Sequence, residues 1–270
     1  KGTVKIDLIL DGSVSASGLE SQDLGIWFWG NRIPAGGIAA VFTHEEYRKR
    51  GLARKVMQHA LEFQRDEGKL FSFLFGIHDF YEKFHYVVMM PWYGITVPVV
   101  LQRGALQSVE LRPMTLNDGP AVMKMYNRAV DFRIGPAVRD ADFQVIPSKP
   151  VPWRNSGIKQ IVPGPNGAPV GYVCYSESTA KGLEVVEAFA DNNSGFEAIL
   201  FHLFQEACNR SNNEITISLP PDDPFALFLR HHEARFTIAH RRSGGGMLRI
   251  LHLQAFIDAL VPMFRQRAEN

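Results

Sequence analysis

One stretch limits the fold more than any other. Gly37 to Thr43 reads Gly-Ile-Ala-Ala-Val-Phe-Thr, an apolar run ending in β-formers, and it predicts a buried strand. A polar turn, His44-Glu45-Glu46-Tyr47, follows, and Arg48-Lys49-Arg50-Gly51-Leu52-Ala53 then opens a helix. Leu52, Val56 and Ala60 make one apolar row; Ala53, Met57 and Leu61 make a second beside it, at helical spacing. Gly68 ends the helix, and Leu70–Phe75 reads as another strand. Strand, basic turn, amphipathic helix and strand together place the chain in the α/β class.

The basic turn has the physics of an anion site. A helix start leaves backbone N–H groups unpaired and carries partial positive charge. Gly51 has no Cβ, so a ligand can approach the backbone, and Ala53 keeps the first turn open. Arg48, Lys49 and Arg50 flank the turn, and a diphosphate fits such a place. The bland alternative is a solvated basic helix start. Downstream, Phe80-Tyr81-Glu82-Lys83-Phe84-His85-Tyr86 packs aromatic residues and a second candidate hydroxyl into a short segment.

Along the rest of the chain, Val4–Leu10 alternates as a strand and Asp11-Gly12 signals a turn. The polar stretch to Asp23, with Ser13, Ser15, Ser17, Gly18 and Ser21, reads as a loop before a strand Leu24–Trp29. Val87–Met90 and Ile95–Leu101 read as paired strands closing a first domain, with a linker at Arg103 to Ser108. Thr115 and Asp118 then resemble a capping box with Asp in place of Glu. Phe132 to Gly157 reads as irregular. A hairpin (Ile158–Val162, Pro169–Ser176), a strand (Leu183–Ala190), a helix (Phe196–Cys208) and a strand (Ile215–Leu219) repeat the order of the first half. The matching turn, Asp191 to Phe196, is acidic and reads as a capped helix start with a structural role. After Gly244-Gly245-Gly246 come a strand, Met247–Leu253, and a helix.

Arg48, Gly51 and Ala53 fill the Arg/Gln-x-x-Gly-x-Gly/Ala fingerprint of the GNAT acyl-CoA N-acyltransferases, and Phe80 to Tyr86 resembles the Phe-Tyr-x-x-x-Gly-Phe/Tyr segment of that family, with His85 in place of Gly. The layout resembles the Eis-like (enhanced intracellular survival) acetyltransferases. The resemblance implies tandem GNAT folds, each a mixed sheet flanked by helices: a catalytic domain at 1–105, a degenerate second domain at 106–245, and the beginning of a sterol-carrier-protein-like domain at 246–270. A complete domain of this family starts with a strand and two helices, for which residues are expected to be missing or differently built here. The resemblance also implies acetyl transfer from acetyl-CoA to a primary amine, such as one of an aminoglycoside or polyamine, in a homo-oligomer that in some members is a hexamer.

On that reading the cofactor residues are Val41 and Thr43, offering backbone groups to the pantetheine arm, and Arg48, Lys49, Arg50, Gly51, Leu52 and Ala53 around the diphosphate. Tyr81 takes the position of the general acid that protonates the leaving thiolate, with Lys83 close enough to ease the transfer. The family's C-terminal carboxylate is unplaced. Trp27, Phe28, Trp29, Trp92 and Tyr93 read as packing more readily than as an acceptor pocket. His231-His232-Glu233 fits no metal spacing, so no metal is expected.

Composition closes off other classes. Net charge of +1 over 270 residues supplies no field for nucleic acid or an anionic membrane, so neither is an expected partner. Apolar runs are strand-length, and the two cysteines, Cys174 and Cys208, read as free thiols of a reducing cytoplasm. Two other functions stay open: acetylation of a protein amine, and a non-catalytic acyl-CoA-binding or assembly module.

Overall fold

The computed structural model describes residues 2–99, 109–139, 157–176 and 182–269. The linker expected at Arg103 to Ser108, the boundary expected at 105 and the prolines 147, 150 and 152 lie outside the described residues. In chain order the elements are β1 (Thr3–Leu10), β2 (Val14–Phe28), β3 (Asn31–Thr43), α1 (Leu52–Asp66), β4 (Phe71–Gly76), β5 (Val87–Met90), β6 (Trp92–Pro98), β7 (Arg112–Pro113), α2 (Gly119–Val130) and β8 (Ile134–Ala137). There follow β9 (Ile158–Pro163), β10 (Pro169–Tyr175), β11 (Leu183–Ala190), α3 (Asn193–Asn209), β12 (Glu214–Ile217), α4 (Pro224–Leu229), β13 (Arg235–Ala239), β14 (Gly245–Ile250) and α5 (Leu253–Ala268).

Two compact units result: Lys1–Pro91 with Val130–Val138 and His240–Asn270, and Trp92–Ala129 with Arg139–Ala239. The first sheet runs β1-β2-β3-β4-β14-β5, with β8 also on β2. Only β3 and β4 are parallel; every other pair is antiparallel. Strand alternation puts α1 and α5 on opposite faces. Leu19, Ile38 and Leu74 pack with Val56, Met57 and Leu61 of α1. Ile26, Ile33, Ala35 and Phe71 pack with Leu260 and Met263 of α5. The second sheet runs β13-β6-β12-β11-β10-β9-β7, with β11 and β12 its parallel pair. Each sheet therefore holds an antiparallel three-strand meander, a helix, and a strand parallel to the third. In each, a strand from elsewhere in the sequence sits beside that parallel strand: β14 beside β4, and β6 beside β12.

Three expectations change. The loop read at Ser13–Asp23 is the first half of a single fifteen-residue strand, β2. Ser17 and Ser21 are buried against close neighbours rather than turned to water. Ser17 Oγ donates to the Phe42 carbonyl, and a Cβ on Gly18 would lie 2.1 Å from an Asp7 carboxylate oxygen. The strand read at Ile95–Leu101 does not close the first sheet; β6 pairs with β12 and β13 in the second. The strand after Gly246 does not open a separate body; β14 bridges β4 and β5 of the first sheet. Strand partners distant in sequence carry no local signal, so periodicity alone places a strand but not its sheet. Within the irregular stretch, β8 is a short strand on β2.

Candidate active site

β3 and β4 pair only across Ala35–Gly37 and Phe71–Phe73. β3 then runs on to Thr43 and β4 to Gly76, so beyond Gly37 the two strands part and leave a fork in the sheet. Beside the fork, the β2–β3 register shifts between Gly18 and Glu20: Phe42 faces Gly18 and Ala39 faces Glu20, leaving Ala40 and Val41 opposite Leu19. That is a β-bulge, and Ala40 takes φ 51°, a left-handed conformation that costs an alanine about 1–2 kcal/mol. Strained backbone of this kind is concentrated at functional sites. Nothing local signals it, because Ala-Ala-Val is ordinary strand composition.

Val41, next to the bulge, rests its side chain on the core while its backbone belongs to the fork. Thr43 Oγ1 shares a 2.9 Å hydrogen bond with Ser17 Oγ, and the Thr43 carbonyl accepts from Arg48 Nε at 3.3 Å. A short 3-10 turn, Glu45–Tyr47, leads to the basic loop. Lys49 has φ 62° and Gly51 φ 75°, so the chain doubles back before α1. No side chain caps α1 at Gly51, no acid lies in its first turn, and a Cβ added to Gly51 would meet nothing within 4 Å. Leu52 turns its side chain into the core and offers only its backbone, while Ala53 stays partly open. Arg48, Lys49 and Arg50 are exposed, and the Arg50 guanidinium stands 5.4 Å from the Tyr47 ring. Arg54 and Lys55 are exposed in the same first turn and add to the positive charge. Their signal was plain enough: two more cations at the start of the same helix.

After β4 the chain turns into a 3-10 helix, Tyr81–Phe84. Tyr81 is 9% exposed, edge-on to Phe80 at 4.8 Å and to Tyr86 at 6.2 Å. Burial raises its pKa, with no cation acting against it, so the easing expected from Lys83 is absent. Tyr81 is a protonated donor throughout the neutral range. Tyr86 is buried and its hydroxyl is bound to Ser72 Oγ at 2.6 Å, which commits it to the core. His85 has φ 61°, the left-handed conformation that glycine adopts without strain. The departure at this position from the segment it resembles therefore costs backbone strain, not shape.

In the second unit, the corresponding helix start is closed. Asn192 Oδ1 caps α3 by accepting from the Gly195 N–H at 2.9 Å, and Asp191 forms an ion pair with Arg128. The aromatic set is divided: Phe28 packs edge-on against Phe256 and Trp29 under Arg267, while Trp92 and Tyr93 belong to β6. Among the described residues no three His, Cys, Asp or Glu side chains converge on a common point, and no helix is long and apolar enough to cross a membrane.

Residues 6–89 match the family model described as acetyltransferase (GNAT) domain. No curated protein matches the chain. Among solved structures, a probable N-acyltransferase of unknown function from Enterococcus faecalis is similar over 94% of this chain and 64% of its own, at 21% identity and TM-score 0.73. A GCN5-related N-acetyltransferase from Kribbella flavida is similar over 89% and 58%, at 22% identity and TM-score 0.69. Eis1 from Mycobacterium abscessus is similar over 94% and 66%, at 16% identity and TM-score 0.64. At these identities the likeness is one of fold, and the chain spans about six-tenths of the length of these structures. The chain thus has the mixed α/β fold of the GNAT acyltransferases, and its residues 6–89 match the acetyltransferase (GNAT) domain.

Proposed function

We propose that this chain is an Eis-like N-acetyltransferase that moves an acetyl group from acetyl-CoA to a primary amine of a small molecule such as an aminoglycoside or a polyamine. The observation that carries the reading is the fork between β3 and β4, bulged at Ala40 and leading to an uncapped, cation-flanked helix start at Gly51. The group's fit rests on that start: it is open at Gly51, free of acid and lined by N–H groups. Acetyl-CoA supplies an activated acyl thioester whose sulfur leaves as a thiolate.

The chain's own residues divide the work. The N–H groups from Lys49 to Ala53 hold the diphosphate, with Arg48, Lys49 and Arg50 neutralising its charge. The backbone of Val41 and Thr43 orients the pantetheine arm along the fork. Tyr81 keeps its proton until sulfur needs it and then donates it there. The ordinary values, ~10 for tyrosine and ~8.5 for a thiol, make that transfer uphill by about 2 kcal/mol, and burial widens the gap. A general-acid benefit of roughly 10²–10⁴-fold, about 3–5 kcal/mol, is what offsets this cost. We further propose that the two units are tandem GNAT-like halves with the chemistry confined to the first, and that the protein is a cytoplasmic homo-oligomer with a small-molecule acceptor and neither nucleic acid nor membrane as partner.

A thiol-release assay with acetyl-CoA against polyamines, aminoglycosides and amino acids tests the reaction, with CoA-induced thermal stabilisation run alongside. Release with at least one amine supports it. Stabilisation by CoA without release across the panel points to the acyl-CoA-binding module instead, and absence of both sinks the two readings together.

A further inference from the structure

Beneath the fork lies a chain of buried polar groups that the proposed reaction does not use. Gln64 on α1, Ser72 on β4 and Tyr86 are each 1% exposed or less. Gln64 Nε2 donates to Ser21 Oγ at 3.0 Å and to the Gly37 carbonyl at 3.2 Å. Its Oε1 accepts from Ser72 Oγ at 2.6 Å, and Ser72 Oγ is 2.6 Å from the Tyr86 hydroxyl. A serine has one hydroxyl proton; with that proton on Gln64, Tyr86 is the donor in the second bond. Burial raises the Tyr86 pKa far above its ordinary value, so the proton stays.

The position of this network is specific. One amide ties Ser21 of β2, Gly37 of β3 and Ser72 of β4 together. Gly37, paired with Phe73, is the last β3 residue in the ladder with β4 before the strands part. Gly36 admits the amide: a Cβ there would lie 2.3 Å from the Gln64 amide carbon. Fully satisfied buried polar networks specify one arrangement of a core, whereas an apolar core of the same volume holds it together at least as well. Stability alone therefore does not call for glutamine at position 64. At its other end the network fixes the Tyr86 ring, which meets Tyr81 edge-on.

We propose that Gln64 is a positioning residue that sets where β3 and β4 separate, and so the depth to which the fork receives the acyl-carrying arm. This rests on the reading of the fork as the arm's site, so one test needs no ligand. In the free Gln64→Met protein, the amides of Ile38 and Leu74 should exchange with solvent at least about tenfold faster, while those of α1 away from the fork keep their rates. Tyr86→Phe, which removes a single hydroxyl, should speed the same amides, and the double variant should show less than the combined effect because the two side chains act through Ser72. Unchanged exchange at Ile38 and Leu74 overturns the proposal, as does acceleration spread evenly over the unit.

The second test is calorimetric titration with CoA and with 3′-phospho-ADP, its nucleotide half without the arm. Gln64→Met should weaken CoA about tenfold and leave 3′-phospho-ADP within about twofold. An equal loss of both, or of neither, overturns it. A parent protein that binds neither compound sinks the cofactor reading and leaves the exchange result to decide the role of Gln64.

Discussion

On the proposed reaction, replacing Gly51 and replacing Tyr81 should separate binding from chemistry. Gly51→Asp places a side chain on a left-handed backbone and a negative charge where the diphosphate is proposed to sit. Nothing lies within 4 Å of the new Cβ, so the fold should hold. The expected outcome is a loss of CoA affinity of at least about tenfold with an unchanged circular dichroism spectrum. Unaltered affinity rules the diphosphate placement out. Tyr81→Phe should instead keep CoA affinity and lower kcat by at least about tenfold. Because burial raises the Tyr81 pKa, its deprotonation should impose no fall in kcat below about pH 10. Normal turnover in Tyr81→Phe would rule Tyr81 out as the acid.

The elements were legible where their signal was local. Asp11-Gly12 takes positive φ at both residues and closes the hairpin as that pair predicts. The Thr115–Asp118 box forms, with the Thr115 N–H donating to Asp118 Oδ2 at 2.8 Å. The sequence did not show that Arg112 would add a bidentate pair to the same carboxylate, at 2.7 and 2.8 Å. These bonds, from Arg112 first and then Thr115, bring the Asp118 pKa down from 3.8 to about 2. A carboxylate whose folded pKa is depressed stabilises the fold above its unfolded pKa and loses that contribution as pH falls through the folded value. Asp118 should therefore contribute about 2 kcal/mol above pH ~4, lost on going down to pH ~2. Asp118→Asn should lower the unfolding free energy by about that much at neutral pH and flatten its pH dependence across that window. Chemical denaturation at several pH values measures both. β2 is not legible, for the opposite reason to the Thr115–Asp118 box: Ser17 and Ser21 bond to residues distant in sequence, and local pattern cannot distinguish that from a loop.

At the scale of the molecule, each unit contains a strand that the sequence delivers from outside its main segment. β14 is flanked by β4 and β5, so deleting residues 240–270 strips both strands of a partner and removes α5 from the core around Phe71. Unpaired strand edges and exposed apolar surface favour aggregation. A chain ending at 239 should lose cooperative unfolding of its first unit, and native first-unit amide protection in that truncated chain would contradict the sheet order. The two helix starts predict stoichiometry. The first is open and cationic, while the second is capped by Asn192 and carries Asp191. Calorimetry should give one CoA per chain, and a ratio of two would show that the second start is not closed to anions.

What the amino-acid sequence determined by itself was the kind of each major element and the chemistry offered at one of them. Apolar spacing defined α1, and Gly51 among cations marked its start as a candidate anion site, because both are properties of neighbouring residues. The tertiary structure decided what depends on distant ones: that β14 lies beside β4, that β3 and β4 part after Gly37, that Ala40 bulges, and that Gln64, Ser72 and Tyr86 meet under the fork. Burial of Tyr81 is of the same origin, since the Met247 that packs with it arrives from the far end of the chain. Local backbone preference and side-chain period are written in a few consecutive residues, whereas strand partnership is settled by which apolar faces and backbone groups find each other only after the whole chain has collapsed.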